Sequence, residues 1–201
     1  METILKSGKK YTFSDYFEMN HPTKEIVAEF GYTYRFEELT LPQAIRSLAG
    51  VARLRESYKK KLPLISLNSE VARREFYIAP LLLELLEYVQ AEINVEYPLD
   101  AGENLSGTID YLLSFTNRMV IIEAKKGDLE RGFNQLAVEL IALDKTIDSD
   151  QTRLYGAVTL GDVWRFGLLE RESRLLKKDM NAYTLLSDLE QVLTILLGML
   201  E

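Results

Sequence analysis

Two apolar runs in the middle of the chain, separated by a short polar turn, constrain the fold more than any other feature. Residues 108–115 read TIDYLLSF and residues 118–126 read RMVIIEAKK, with Thr116 and Asn117 between them. A strand that is buried on one face alternates apolar and polar residues, whereas these runs are apolar at most positions. They therefore predict a hairpin with a tight turn at Thr116 and Asn117, in a sheet that is covered on both faces.

The pattern on either side of the hairpin predicts an α/β domain. From residue 69 the predicted order is helix, three strands, helix, two strands and helix, over residues 69–90, 93–99, 108–115, 118–126, 128–146, 153–160, 163–169 and 184–200. This order is typical of a three-layer fold, with a central mixed sheet of about four to five strands flanked by helices. Ser69 is a plausible cap of the first helix, and Pro80 is expected to bend or break it.

Residues 1–68 are predicted to form an amino-terminal α+β elaboration, joined to the main domain of residues 69–201 in one compact unit. Within this first part, residues 11–19 (YTFSDYFEM) alternate loosely and predict a strand. No catalytic signal lies in this part of the sequence.

The residue content narrows the chemistry to carboxylates, lysines and cations that prefer oxygen ligands. The 201 residues include no cysteine and only one histidine, His21, which precedes Pro22 in a predicted surface turn. Cysteine nucleophiles and cysteine metal sites are excluded, and a histidine triad or a zinc site is disfavoured. The sequence has no apolar run of bilayer length, and its first residues lack the apolar core of a signal peptide. We therefore expect a cytoplasmic protein without a membrane partner.

Each apolar run of the hairpin carries one acidic residue, Asp110 in the first and Glu123 in the second, and Lys125 follows two places later. With the turn at residues 116 and 117, paired residues have numbers that sum to 233, so Asp110 faces Glu123 and Lys125 projects from the same face. Two carboxylates about 5 Å apart at an effective dielectric of about 20 repel by about 3 kcal/mol. Proteins accept such repulsion where a proton is shared or a cation lies between the groups. The pattern favours a Mg²⁺ or Mn²⁺ site over the alternative, a pair of exposed acids at strand ends.

These residues resemble the PD-(D/E)xK nuclease superfamily, which has the restriction-endonuclease-like fold. The motif consists of Asp110, then Glu123-Ala124-Lys125, then Gln135 in the following helix. The upstream stretch SEVARREFYIAPLL, residues 69–82, is similar to the helix that precedes this motif in the nuclease domain of type I restriction motor subunits. The resemblance covers about residues 69–169, and Ile109 stands where the superfamily often has a proline.

The resemblance implies a metal-dependent endonuclease that hydrolyses phosphodiester bonds in DNA, with RNA not excluded as a substrate. It implies that Asp110, Glu123 and Glu70 bind one or two Mg²⁺ or Mn²⁺ ions, that Lys125 assists the attacking water, and that Gln135 lies near the site. Glu70 and Gln135 also fit roles without catalysis. Glu70 suits the positive end of a helix dipole, and Gln135 suits a helix surface.

The alternative function is an inactive protein that keeps the nuclease fold and binds nucleic acid or a protein partner. A formal net charge of -7 and the lack of an obvious DNA-reading element keep this alternative open. The apolar helix 184–200 either covers the sheet or forms a homodimer contact. Arg73 and Arg74 are candidates for phosphate contacts, or else solvated, and Trp164 and Phe166 are more typical of a core than of a base-stacking surface.

Overall fold

A computed structural model, which describes residues 3–6 and 8–201, has an α/β fold built on a mixed sheet. The strands in these residues are β1 (Thr33–Glu37), β2 (Glu92–Asp100), β3 (Ser106–Phe115), β4 (Arg118–Ala124), β5 (Arg153–Thr159), β6 (Val163–Glu170), β7 (Leu175–Asp179) and β8 (Tyr183–Thr184). The described strands form one eight-stranded sheet in the order β1-β7-β6-β5-β4-β3-β2, and β8 pairs with β6. The β1–β7 and β4–β5 pairs are parallel.

The sheet is larger than the four to five strands expected from the sequence. Strand β1 comes from the amino-terminal part and extends the sheet beside β7. Strand β7 reads LLKKD, and its two lysines gave no strand signal. They are tolerated there because Lys177 pairs with Glu37 and Glu170 at 3.1 Å each, and Lys178 pairs with Glu130.

Helices cover both faces of the sheet. They are α1 (Phe13–Glu18), α2 (Thr23–Ala28), α3 (Val51–Lys61), α4 (Glu70–Arg73), α5 (Ala79–Leu86), α6 (Leu129–Thr146) and α7 (Leu189–Leu200). Buried side chains of α3, α5 and α7 form the core on one face, and those of α1, α2 and α6 form the core on the other. Of the two roles considered for the last helix, α7 therefore takes the covering role. Nowhere in the described ranges is a helix both long and apolar enough to cross a membrane.

The helical segment from residue 70 to residue 86 begins at its predicted cap and passes through Pro80. The Ser69 hydroxyl accepts a hydrogen bond from the backbone N–H of Ala72 at 3.0 Å. One turn of π-helix, Arg74–Ile78, connects α4 to α5 just before Pro80. Because a widened turn accommodates the missing N–H and the ring of a proline, the segment continues instead of ending at Pro80.

The prediction of a strand over residues 11–19 is wrong, because this segment contains α1. The backbone N–H of Thr12 donates to Oδ2 of Asp15 at 2.8 Å, which caps the start of the helix. Phe13 and Tyr16, three residues apart, are fully buried against the core. The same aromatic residues produced the loose alternation that predicted a strand. The capping hydrogen bond stabilises a helix instead.

The hairpin of β3 and β4 has the predicted register. Its pairs run from Phe115 with Arg118 to Tyr111 with Ile122, so the partner numbers sum to 233. Thr116 has a left-handed φ of 54°, as one residue of such a tight turn requires. The fold therefore places the two acidic positions of the hairpin opposite each other.

Candidate active site

The hairpin brings Asp110 and Glu123 together at the carboxyl end of β4. They occupy the next position of the register after the pair formed by Tyr111 and Ile122. The carboxylate of Asp110 crosses to the neighbouring strand, where its Oδ2 accepts a hydrogen bond of 2.8 Å from the N–H of Ala124. The predicted facing acids are therefore present, and one of them is fixed by the backbone of the strand that carries the other.

Lys125 lies beside Glu123, as the alternation of the strand predicts. Its backbone N–H donates to the carbonyl of Thr159 at 2.8 Å, which fixes the residue at the end of β5. Its ammonium group is in ion-pair contact with Oε1 of Glu123, whose side chain is 1% exposed. The other oxygen of Glu123, Oε2, has no backbone N–H, side-chain N–H or hydroxyl donor among the residues that the structure describes. A buried carboxylate in this condition retains unused capacity to bind a cation or a proton.

Helix α6 adds a buried carboxylate, Glu139, that the sequence interpretation missed. Its side chain is fully buried, and its Oε1 accepts a hydrogen bond of 2.9 Å from Nε2 of Gln135. Within the described residues, Oε2 of Glu139 and Oε1 of Gln135 have no hydrogen-bond partner. The sequence does indicate the burial of Glu139, because residues 136–138 and 140–143 are all apolar and leave Glu139 no solvated helix face.

Burial leads the two buried glutamates to retain a proton between them. Burial raises the pKa of Glu123 well above its ordinary value, and the charges of Glu139 and Asp110 raise it further. Burial likewise raises the pKa of Glu139 to about 8, although hydrogen bonds with Gln135 and Glu123 offset part of the shift. At neutral pH and without a cation, the pair therefore retains a proton.

The ammonium group of Lys125 stays charged in spite of its burial. Burial by itself would lower its pKa, but the carboxylates of Glu123, Asp110 and Glu70 outweigh that effect, and the net shift is upward. Lys125 therefore offers a fixed positive charge and hydrogen-bond donors beside the acids. This environment disfavours a neutral Lys125, so it does not suit a role in which the side chain takes a proton from water.

Arg74 holds the second oxygen of Asp110. Its guanidinium group lies 3.3 Å from Oδ1 of Asp110 and 3.2 Å from Oε1 of Glu96, and it stacks on the ring of Tyr111 at 5.1 Å. Glu96 lies between Val95 and Tyr97, which pair with Tyr111 and Ile109 on either side of Asp110, and it has a left-handed φ of 54°. Such a conformation costs about 1–3 kcal/mol and is typical of functional positions. Of the two arginines considered for phosphate contacts, Arg74 is the one that touches the predicted site.

Arg73 has a different role. Its Nη1 donates to the carbonyl of Leu160 at 2.7 Å and lies 3.3 Å from Oδ1 of Asp162. Its Nε donates to the carbonyl of Leu67 at 3.1 Å. Arg73 therefore fastens the start of the helical segment to the loop between β5 and β6.

A cavity opens above these residues and receives the remaining predicted side chains. Glu70, Lys125 and Gln135 line it together, and Phe17 and Glu18 of α1 form its opposite wall. Gln135 is not a helix-surface amide, because the residue is only 4% exposed. Glu70 is the first residue of α4, where the helix dipole also favours it, so its position suits a metal ligand and a helix-start acid equally.

Gly132 of α6 allows the helix to approach Lys125. A Cβ atom at residue 132 would lie 2.7 Å from Cγ2 of Val158 and 3.0 Å from Cγ of Lys125. We expect Gly132→Ala to destabilise the protein by about 1–3 kcal/mol, since the buried, β-branched Val158 cannot move aside easily. The gain in helix propensity, about 1 kcal/mol, opposes this loss. Urea denaturation measures the net change, and a variant as stable as the parent would contradict the tight approach.

The acids of the site suit a divalent ion with few protein ligands. In residues 3–6 and 8–201, no group of three or more acidic or histidine side chains lies at metal-binding spacing, so Asp110, Glu123 and Glu70 are not gathered into one three-acid cage. Mg²⁺ commonly binds one or two carboxylates and completes its shell with water and phosphate oxygens. Asp110 and Glu123, on adjacent strands and close enough for the charge of one to raise the pKa of the other, are the two carboxylates that fit that kind of site.

Comparison with other proteins adds no assignment. The chain matches no protein-family model, no curated protein and no solved structure. The case for a function therefore depends on the geometry and electrostatics of the site.

Proposed function

We propose that this protein is a Mg²⁺- or Mn²⁺-dependent nuclease that hydrolyses phosphodiester bonds in DNA, with a restriction-endonuclease-like core of the PD-(D/E)xK superfamily. The observation that carries the proposal is the state of Glu123, a fully buried carboxylate whose Oε2 lacks an N–H or hydroxyl donor and whose neighbours are Asp110 and a charged Lys125. A purely structural acid in a core is normally satisfied by hydrogen bonds. A buried carboxylate that has an oxygen without a donor and lies beside a second acid is suited to bind a cation.

In the proposed mechanism Asp110 and Glu123 hold the ion, and the other residues of the site bind and orient the reacting groups. A divalent ion bound there would lower the pKa of a coordinated water and polarise the phosphate. The ammonium group of Lys125 stabilises the negative charge that develops on the phosphate oxygens. Gln135 holds Glu139 in place and leaves its own Oε1 available to orient a water molecule.

The surroundings of Asp110 supply a second phosphate-binding group. Arg74 is only 15% exposed and is oriented by Glu96 and the ring of Tyr111. With Asp110 engaged in holding an ion, the guanidinium group of Arg74 would be free to bind a phosphate oxygen. Lys125 and Arg74 both bind anionic oxygen, so the phosphodiester backbone of DNA is the proposed substrate. RNA carries the same phosphodiester and would be bound by the same groups.

Asp110→Asn tests the proposal. The amide keeps the shape of the side chain and its acceptor for the N–H of Ala124 but removes the charge that would hold the ion. We expect cleavage of supercoiled plasmid and of single-stranded DNA, in Mg²⁺ or Mn²⁺, to fall by at least about 100-fold, the order found when one charge-stabilising group is removed. The matched control is Asp148→Asn, at an exposed acid after α6, which should cleave like the parent.

Equal activity in the parent and in Asp110→Asn would assign the cleavage to a contaminating nuclease. If calorimetry also gave no heat of Mg²⁺ or Mn²⁺ binding, the alternative of an inactive scaffold would replace the nuclease proposal. One observation favours that alternative: both oxygens of Asp110 already have protein partners, Arg74 and the N–H of Ala124. Arg74→Gln separates the two functions, because a nuclease in which Asp110 must be released would bind the ion more tightly, whereas a scaffold would bind none.

A further inference from the structure

The cavity beside Lys125 is the size of a small-ligand site. Its volume is about 500 Å³, and it lies between α1 on one side and Lys125, Gln135 and Glu70 on the other. A sphere of 500 Å³ is about 10 Å across, within the range of sites that hold one small ligand. A volume of this size holds a ligand comparable to one nucleotide.

The aromatic residue Phe17 faces the proposed reaction centre from the wall formed by α1. Its ring lies 5.3 Å from Nζ of Lys125, and its side chain is half-buried, so part of the ring faces the cavity. Trp164 and Phe166, the aromatic pair that the sequence also offered, are fully buried in the core. A partly exposed ring next to a lysine is an arrangement on which an unpaired base can stack while the lysine binds the neighbouring phosphate.

Charge differs between the two sides of the cavity. Lys125 and Lys126 lie on the side of the hairpin, whereas Asp15 and Glu18 lie on the side of α1. The hydrogen bond from the N–H of Thr12 lowers the pKa of Asp15 in spite of its partial burial, so the carboxylate is charged. One phosphate backbone can follow the lysines, whereas a second backbone across the cavity would meet the carboxylate of Glu18 and that of Asp15, which is paired with Lys9 at 3.1 Å.

The wall formed by α1 is fastened to the core and is not a loose lid. Phe13 and Tyr16 are at most 1% exposed, and the hydroxyl of Tyr16 donates to the carbonyl of Asn104 at 2.7 Å. A Cβ atom at Gly107 would lie 2.8 Å from the ring of Phe13, so the helix packs directly on the backbone of β3. The width of the cavity is therefore a fixed property of the fold.

We infer that the substrate of the proposed nuclease is a single-stranded polynucleotide, and that Phe17 stacks on a base next to the phosphate held at Lys125. This inference rests on the proposed function and specifies its substrate class. The fixed wall and the acids on the side of α1 act against a second strand. In a single strand the base has no pairing partner, and stacking on Phe17 would hold it instead.

Binding measured without turnover tests the inference. Fluorescence anisotropy with Ca²⁺ in place of Mg²⁺ compares a single-stranded DNA oligonucleotide, its RNA counterpart and the matching duplex on the full chain. We expect the single strand to bind at least about 10-fold more tightly than the duplex, and Phe17→Ala and Phe17→Leu to weaken it by about 5- to 150-fold. Phe17→Tyr should bind like the parent, because it keeps the ring.

The matched control is Phe36→Ala. Phe36 also lies 5.3 Å from a lysine ammonium, that of Lys178, but is on β1, away from the cavity, and this change should leave binding within about twofold. A 2-aminopurine in the single strand should be quenched by the parent and not by Phe17→Leu. Circular dichroism verifies the fold of each variant.

Equal binding of duplex and single strand, or no binding of either, would overturn the inference, and so would a Phe17→Leu variant that binds like the parent. Binding of single strands that depends on Phe17, without any cleavage in Mg²⁺ or Mn²⁺, would support the inference and remove the nuclease proposal. The DNA and RNA arms identify which single strand is bound.

Discussion

Replacing Lys125 with methionine is expected to lower the rate of metal-dependent DNA cleavage by about 100- to 1,000-fold. The change removes the charged group closest to the buried acids and keeps a side chain of similar length. Phosphodiester hydrolysis places additional negative charge on the phosphate in the transition state, and a fixed ammonium in a water-poor site stabilises that charge much more than it would in bulk water. Cleavage of supercoiled plasmid under saturating Mn²⁺ measures the effect.

The variant should fold, because the remaining acids can adjust their protonation. Without Lys125, the carboxyl of Glu123 loses the neighbour that opposes its upward pKa shift, so it takes up a proton more readily. A neutral carboxyl is far less costly to bury than an unpaired charge. Far-UV circular dichroism and urea denaturation separate a loss of catalysis from a loss of structure.

Lys60→Met is the matched control for Lys125→Met. Lys60 is an exposed lysine on α3, which packs on the opposite face of the sheet, so its removal should leave cleavage within about twofold. A Lys125→Met protein that cleaves at the rate of the Lys60→Met protein would contradict the catalytic role of the ammonium group. Such a result would leave Lys125 as a counter-ion of Glu123.

The hairpin and its register could be predicted because local rules decide them. A turn at Thr116 and Asn117 fixes every pairing between β3 and β4, so the facing of Asp110 and Glu123 follows by counting. Helix α6 and the burial of Trp164 and Phe166 followed from the apolar pattern in the same way.

What could not be predicted depends on contacts between distant segments. Strand β1 joins the sheet through β7, whose lysines are neutralised by partners as remote as Glu37 and Glu130. Glu139 had a local signal of burial, but its position beside Glu123 depends on how α6 packs against the sheet. The role of Phe17 could not be predicted, because the segment that contains it was predicted as a strand and is the helix α1. The position of its ring near Lys125 also depends on the tertiary fold.

The free energy of unfolding of the metal-free protein is expected to fall as the pH rises from about 5 to about 8, because folding raises the pKa of Glu139 from its ordinary 4.5 to about 8. In this window the unfolded chain has released the proton while the folded chain still binds it. Folding therefore costs more at each higher pH, by at most about 1.4 kcal/mol per pH unit for one proton. Asp15 and Glu170 have lowered pKa values, so their opposite contributions change only below this window.

Urea denaturation in EDTA at several pH values measures the slope, and Glu139→Gln identifies its source. The amide is neutral at every pH and keeps the size of the side chain, so its variant should have a much flatter dependence between pH 5 and about 8. Glu172→Gln, at an exposed carboxyl between β6 and β7, should keep the slope of the parent. Parallel slopes in all three proteins would mean that Glu139 is not the group that holds the proton. A flat dependence in the parent as well would mean that neither buried glutamate holds one. Glu123 would then be a charged partner of Lys125, and a cation entering the site would displace the ammonium group instead of a proton.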